Sequence, residues 1–94
     1  MTVPAWNGRR AAEALNRVRH NGQQRGLPCH ICNGRINYQL RYPHPWSCSV
    51  QHIISRNLRP DLTWDPTNWA PSHLQCNREA GDGTNNPYNL GYTS

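Results

Sequence analysis

The chain has 94 residues, of which 35% are hydrophobic and none is Phe, so it is long enough for one domain but too polar to build a large apolar core. Ten basic residues, all of them Arg, outnumber five acidic residues and give a net charge of +5, which favours a polyanionic partner such as nucleic acid. No apolar run could cross a membrane or serve as a secretory signal, and we therefore expect an unsecreted, cytoplasmic protein without membrane contact.

An amphipathic helix is the first predicted element, and it covers residues 5–20. Asn7 can cap its start, and Asn21-Gly22 can end it. The apolar residues that recur at helical spacing are Ala11, Leu15 and Val18. The basic residues of the opposite face include Arg9, Arg10 and Arg17. This face is either a solvated surface or a surface that contacts phosphate, and a linker over residues 21–28 follows it.

Alternating apolar residues next predict two antiparallel strands, over residues 36–40 and 48–54, joined by a turn at residues 43–45. Residues 56–68 are expected to be irregular, because they contain two Pro and two Asp. A short second helix is predicted from residue 69 or 71 to residue 79, with its end at Gly81. An extended tail follows over residues 82–94. The tail residues expected to lie against the domain are Tyr88, Leu90 and Tyr92. In a chain without Phe, the large side chains expected in the core are Trp46, Trp64 and Trp69.

Four cysteines in a chain of this size indicate either disulfides or a metal site, and the lack of a secretory signal favours the metal. Cys29 and Cys32 form one chelating pair, and His73 and Cys76 form a second pair with the same three-residue offset. Together they match a tetrahedral Cys3His zinc site, which would tie the first half of the chain to the last helix. An alternative site uses Cys48 as the fourth ligand in place of His73. Otherwise Cys48 is a small buried apolar residue.

Three polar residues are interleaved with these two metal pairs. His52 ends a predicted strand, Asn68 follows in the loop, and Asn77 comes directly after Cys76. With the runs WDPTNW at 64–69 and CNREAGD at 76–82, this order resembles the HNH endonuclease family, in particular the small zinc-containing HNH proteins that phages encode. The resemblance covers residues 28–83.

The resemblance implies a small α+β domain over residues 1–94: a zinc-stabilised ββα-metal fold with an added N-terminal helix. The N-terminal helix and linker take residues 1–27, the ββα-metal core residues 28–83, and the tail residues 84–94. His52 then deprotonates a water molecule, a task for which a neutral imidazole is suited. Asn68 holds His52 in line.

A divalent cation, Mg2+ or similar, is the second metal that the resemblance implies, and it stabilises the negative charge of the leaving oxygen. Asn77 offers one amide oxygen as a ligand. Most family members have Asp immediately before the catalytic His, whereas this chain has Gln51, which is a ligand without charge. We therefore expect weak cation binding unless another carboxylate, such as Asp65 or Glu79, takes part.

The sequence thus predicts a hydrolase of phosphodiester bonds, a metal-dependent DNA endonuclease of the kind that phages encode. Arg56 and Arg35 are the residues expected to contact DNA, and solvated loop arginines are the alternative. By analogy with phage HNH proteins encoded beside packaging genes, a terminase or portal protein is a further partner. The alternative function is a zinc-stabilised module that binds nucleic acid, or serves as an adaptor, with a degenerate metal site.

Overall fold

Residues 3–81 are described by a computed structural model, and they form two helices and a two-stranded antiparallel sheet. The elements in chain order are helix α1 (Gly8–Arg25), strand β1 (Cys48–His52), strand β2 (Trp69–His73) and helix α2 (Leu74–Gly81). Two short 3-10 turns, Pro60–Leu62 and Pro66–Asn68, lie between the strands. The small α+β class is therefore confirmed. The predicted tail over residues 82–94 lies outside the described residues. None of the described helices has the length and apolar character needed to cross a bilayer.

Helix α1 both begins and ends later than the predicted range of residues 5–20. It starts at Gly8. It continues through Gly22 to Arg25 and ends at Gly26, whose left-handed backbone lets its N–H bond the carbonyls of Gln23 and Gly22. Asn7 precedes the helix in an extended conformation, but its side chain makes no capping hydrogen bond. The expected linker over residues 21–28 is consequently one turn of helix followed by a short connection.

Gly22 is used for close packing and not to end the helix. A Cβ atom at this position would lie 2.5 Å from the hydroxyl oxygen and 2.8 Å from two ring carbons of Tyr38. The Tyr38 hydroxyl donates a hydrogen bond of 2.6 Å to the Leu27 carbonyl, so the ring is fixed between α1 and the segment that follows it. The glycine therefore allows α1 to approach the core.

The partner of β1 is different from the predicted one. Strand β1 pairs with β2, in a register that places Cys48 opposite His73 and His52 opposite Trp69. Residues 36–40 do show alternating burial, with Ile36 and Tyr38 inside, but they form no strand. Alternation reports only which side chains face the core, whereas a strand also needs a hydrogen-bonded neighbour.

Strand β2 occupies residues that the sequence assigned to the start of the last helix. Pro71 is typical of a first helical turn, yet here it lies in β2, opposite Val50. A two-stranded sheet tolerates this residue because its strands have open edges. The Pro71 carbonyl accepts a hydrogen bond of 2.9 Å from His30 N, which joins β2 to the segment that carries Cys29 and Cys32. Helix α2 then begins directly at Leu74.

The core is small and includes sulfur atoms. Its buried cluster consists of Val18, Cys29, Ile36, Tyr38, Cys48 and Val50. The expected tryptophan core is only partly found. Trp69 packs against this cluster and Trp64 is half-buried, but Trp46 is 52% exposed. A core of this size leaves much of the stability to other interactions.

Replacement of Gly22 by Ala tests the packing of α1. We expect Gly22→Ala to lower the free energy of unfolding by about 1–2 kcal/mol, because overpacking against Tyr38 outweighs the gain in helix propensity. Urea unfolding in excess zinc measures the difference, with Gln23→Ala at the exposed neighbouring position as the control, expected to change stability by no more than about 0.5 kcal/mol. A Gly22→Ala protein as stable as the parent would contradict the packing described for Tyr38.

Candidate zinc centre and the His52 site

Four metal-binding side chains meet where the two halves of the chain join. Cys29 and Cys32 come from the turn that follows α1, His73 from the end of β2, and Cys76 from the first turn of α2. Their ligand atoms all lie within 4.8 Å of one another. His73 Nδ1 is 3.4 Å from Cys32 Sγ and 3.7 Å from Cys76 Sγ, close to the roughly 3.6 Å edge of a tetrahedron with zinc–ligand bonds of normal length. The cluster could therefore hold a structural ion such as zinc.

Backbone N–H groups prepare the sulfur of Cys29 for metal binding. Burial alone would raise its pKa, but the N–H groups of Cys32, His73 and Ile31 point at this sulfur and bring the pKa down to about 7. The turn itself is closed by the bond from Cys29 N to the Gly34 carbonyl, 2.8 Å long. A thiolate is the form of cysteine that binds zinc, so the turn favours the ligand state.

The pKa of Cys76 changes in the opposite direction. Burial and the neighbouring sulfurs raise the pKa of Cys76 to about 12, because two thiolates side by side repel each other. A divalent ion between them removes this repulsion and makes both deprotonated forms favourable.

His73 is held in the orientation that such an ion requires. Its Nε2 donates a hydrogen bond of 2.9 Å to the Arg35 carbonyl, so the lone pair of the neutral ring lies on Nδ1, the nitrogen beside the sulfurs. Trp46 lies edge-on against the same ring, with the centroids 5.2 Å apart. Arg35 thus contacts the candidate zinc site through its backbone carbonyl. Its side chain is exposed.

Cys48 is not a member of the cluster. It is buried among the core residues, and burial raises its pKa to about 11. The alternative zinc site with Cys48 in place of His73 is therefore not the one that the fold assembles.

His52 lies at the end of β1 and is 1% exposed. Its Nε2 donates a 2.9 Å hydrogen bond to the Thr63 carbonyl, which assigns the proton of the neutral ring to Nε2 and the lone pair to Nδ1. Burial lowers the pKa of His52 to about 4; the bond to Thr63 acts in the opposite direction, and the positive charge of Arg56 lowers the pKa further. The ring is therefore neutral at physiological pH.

Asn68 connects the loop to the end of β1. Its Oδ1 accepts from Ile54 N at 2.8 Å, and its Nδ2 donates to the Ile54 carbonyl at 3.0 Å. Its own carbonyl accepts from Ile53 N at 2.8 Å. These bonds fix the chain immediately after His52, which is the kind of contact expected of an architectural residue.

Asn77 and Gln51 lie on the other face of the sheet. The Nδ2 of buried Asn77 donates to the Val50 carbonyl at 2.8 Å and to Ser49 Oγ at 3.1 Å. Because side chains alternate along a strand, Ser49 and Gln51 share the face that α2 covers, and His52 points to the opposite face. Gln51 is 5% exposed; its Nε2 donates to the His52 carbonyl, while its Oε1 is buried and has no hydrogen-bond partner within residues 3–81.

A divalent cation at this face would meet amide oxygens. Mg2+ usually keeps several water ligands and needs one or two protein oxygens, so Gln51 Oε1 and Asn77 Oδ1 suffice in number but supply no charge. Asp65 instead accepts hydrogen bonds from Thr67 N and Thr67 Oγ1, and Glu79 accepts one from Gln75. In residues 3–81 the hydrogen bonds of these two carboxylates are to Thr67 and Gln75 and not to Gln51, so they give no sign of a charged ligand beside it. A cation at this face would therefore be held weakly.

Arg56 is buried, in contrast to the exposed phosphate contact that the sequence suggests. Its Nη1 donates to the Pro4 carbonyl at 3.2 Å. Trp6, two residues further on, lies edge-on against the His52 ring, with the centroids 4.6 Å apart. Pro4 and Thr63 have no signal in the sequence, since both act through backbone carbonyls. Trp6 is expected in the first turn of the helix, whereas α1 begins after it at Gly8.

Comparisons with known proteins find no match: no protein-family model, no curated protein and no solved structure corresponds to this chain. The function must therefore be argued from the site itself.

The zinc cluster predicts that each chain binds one zinc ion and depends on it for folding. Cys32→Ser and Cys76→Ser should lose the ion and unfold, since metal binding is part of the folding free energy and contributes several kcal/mol. Elemental analysis and circular dichroism measure both effects, and Cys48→Ser should keep the ion. Folded parent protein without zinc, or loss of zinc in Cys48→Ser but not in His73→Ala, would contradict the assignment.

The environment of His52 predicts an unusual titration. Because the pKa in the fold, about 4, lies below the ordinary value of about 6.5, the ring should stay neutral at about pH 5.5, where an ordinary imidazole is mostly protonated. As pH falls through this window the unfolded chain takes up the proton first, so His52 lowers stability towards acid pH. Nitrogen-15 NMR should show a proton on Nε2 and none on Nδ1. Protonation of both nitrogens at that pH would refute the buried, Thr63-bonded arrangement.

Proposed function

We propose that the protein is a zinc-stabilised DNA endonuclease of the HNH type, in which His52 activates the water that hydrolyses a phosphodiester bond. The observation that carries this proposal is the hydrogen bond from His52 Nε2 to the Thr63 carbonyl. It presents Nδ1 as a proton acceptor on a neutral ring, which is the state that a general base needs.

The proposed reaction uses the described residues as follows. His52 Nδ1 takes a proton from water, the resulting hydroxide attacks phosphorus, and the bond from phosphorus to the leaving 3′ oxygen breaks. Asn68 keeps the end of β1, and with it His52, in a fixed position through its bonds to Ile54. A divalent cation beside Gln51 and Asn77 would supply positive charge for the leaving oxygen if the phosphate reaches around the end of β1, because these two side chains lie on the sheet face opposite His52. A solvent proton completes the 3′ hydroxyl.

The charge of α1 supports a nucleic-acid substrate. Helix α1 carries five arginines and one glutamate, Glu13, and so contributes +4 of the net charge of +5. In residues 3–81 the one salt bridge is Arg59–Asp61, so acidic side chains do not neutralise the arginines of α1 there. A helix with this much unbalanced positive charge is suited to binding the phosphate backbone of a nucleic acid. Such contacts do not depend on the base sequence. The arginines of α1 are Arg9, Arg10, Arg17, Arg19 and Arg25.

The second candidate function is binding of nucleic acid without cleavage. The pair Gln51 and Asn77 favours it, since two neutral amides make a poor site for a hard cation. The zinc cluster and the basic helix would then suffice for the function, and His52 would be a buried structural residue. A cleavage assay separates the two candidates.

Nicking of supercoiled plasmid by the zinc-loaded protein is the test. We expect nicking that depends on added Mg2+, and a loss of rate by about 10²–10⁴ in His52→Ala with unchanged zinc content and DNA affinity. Omission of Mg2+ is the metal control, because a chelator would also remove the structural zinc. His20→Ala, an exposed histidine of α1, is the matched substitution and should leave the rate unchanged.

The same assay has two outcomes that reject the proposal. Nicking by His52→Ala at the parental rate would remove His52 from the reaction. DNA binding by the folded, zinc-loaded parent without any nicking would leave the binding module as the function.

Position 51 provides a test of the cation site. Gln51→Asp places a negative charge where the cation otherwise meets neutral oxygens, so half-maximal nicking should require about ten-fold less Mg2+. Gln51→Asn is the matched control, because it has the same shortened side chain without the charge. Equal Mg2+ dependence of the Asp and Asn variants, both folded with zinc bound, would mean that residue 51 does not face the cation.

A further inference from the structure

The segment before α1, residues 3–7, lies across the end of β1, and we call it the cover segment. Trp6 is its central side chain. The ring meets the His52 ring edge-on, with the centroids 4.6 Å apart, and stacks on Trp64 at 4.4 Å. Trp69 touches it edge-on at 5.7 Å. Each aromatic contact of this kind is weak. The three contacts together hold the segment in place but still allow it to be displaced.

The second attachment of the cover segment is polar. Arg56 Nη1 donates to the Pro4 carbonyl at 3.2 Å. Pro4 and Trp6 are half-buried, whereas the residues between and beside them, Val3, Ala5 and Asn7, are exposed. Pro4 and Trp6 are thus the residues through which the segment is attached.

Space remains beneath the cover segment. A cavity of about 940 Å³ is lined by the cover segment and by other residues that include Val50, Arg56 and Leu74. The segment therefore borders a cleft, while Trp6 packs against the core cluster. Displacing the segment would break the contacts of Pro4 and Trp6, including this packing, but the six buried residues of the cluster belong to other parts of the chain.

Gly8 gives the cover segment a joint. Its φ of 70° lies in the left-handed region, and an added Cβ would meet no atom within 4 Å. The reason for glycine here is thus the backbone conformation and not close packing. Because Gly8 is the first residue of α1, rotation at this point would move the segment and leave the rest of the helix in place.

The proposed reaction needs access to two residues that the cover segment contacts, His52 through Trp6 and Arg56 through Pro4. His52 is 1% exposed, yet a general base must touch water and lie near the phosphate. Arg56 uses one of its guanidinium N–H groups on a neutral carbonyl, where an anionic phosphate oxygen would form a stronger, charge-assisted bond.

We propose that residues 3–7 are a displaceable cover of the His52 site: a backbone phosphate of duplex DNA replaces the Pro4 carbonyl on Arg56, and Trp6 then leaves the His52 ring. The proposal rests on the proposed function, since it takes DNA as the ligand and His52 as the group that must be reached. Without DNA the site stays closed to water and small phosphate esters.

Fluorine NMR of the full chain with fluorotryptophan tests the displacement directly. The Trp6 and Trp46 signals are assigned by replacing each residue with Phe. Saturation of the zinc-loaded protein with a short duplex oligonucleotide, without Mg2+, should move the Trp6 signal towards that of a solvent-exposed indole. Trp46, which contacts His73 and not the segment, is the internal control and should not shift in this way. A Trp6 signal that stays unchanged at saturation overturns the proposal.

Chemical modification of His52 gives a second readout that does not depend on cleavage. In the absence of DNA, Trp6→Ala should raise the rate at which diethyl pyrocarbonate modifies His52 by about ten-fold, because the loss of the ring contacts populates the open state. Trp6→Phe keeps a ring over His52 and should stay near the parental rate. Equal modification of His52 in the parent and in folded, zinc-loaded Trp6→Ala protein would overturn the cover.

These measurements distinguish the cover from the nuclease. Displacement of Trp6 by DNA, without nicking by any variant, supports the cover and rejects hydrolysis. Nicking by a protein whose Trp6 signal does not respond to DNA rejects the cover and leaves the nuclease in place.

Discussion

The fold depends on bringing together two ligand pairs that lie far apart in the sequence. Cys32 and His73 are separated by 41 positions, and the apolar cluster found in residues 3–81 has six buried members, two of which are cysteines. Burial on this scale is too small to offset the conformational entropy of such a connection with a wide margin. A zinc ion held by the cluster of Cys29, Cys32, His73 and Cys76 would supply binding free energy that is released only when the chain is folded.

The same connection positions the candidate functional residues. His73 is the last residue of β2 and pairs with Cys48, so a metal in the cluster would fix one end of the sheet, while His52 and Trp69 form its other end. Helix α2 starts immediately after His73, which brings Asn77 onto the face shared by Ser49 and Gln51. The Thr63 carbonyl accepts from both His52 and Trp69 and so links the loop to that end. Zinc binding at the cluster would therefore be coupled to the geometry of the His52 site.

The sequence predicted the parts of the structure that local spacing determines. It identified most of α1, the four residues that cluster as a possible metal site and a strand that contains His52, because helical periodicity, ligand offsets and alternation are visible over a few residues. It missed the pairing of β1 with β2, since Pro71 is typical of a helix start and only the tertiary structure shows its neighbour. It also missed the contacts of Pro4 and Thr63, because backbone carbonyls have no signature in the side-chain pattern. The contact between the segments of Trp6 and Arg56 was also missed. Arg56 bonds the Pro4 carbonyl 52 positions earlier in the chain, and local spacing does not predict a contact over that distance.

X-ray absorption at the zinc edge of the purified protein identifies the atoms bound to the metal. We expect a shell of three sulfur atoms at about 2.3 Å and one nitrogen atom at about 2.0 Å, the nitrogen being His73 Nδ1. The His73→Ala protein should lose this nitrogen from the shell. A parental shell of four sulfur atoms would instead place Cys48 on the metal, and a shell dominated by oxygen would mean that zinc does not join these two parts of the chain.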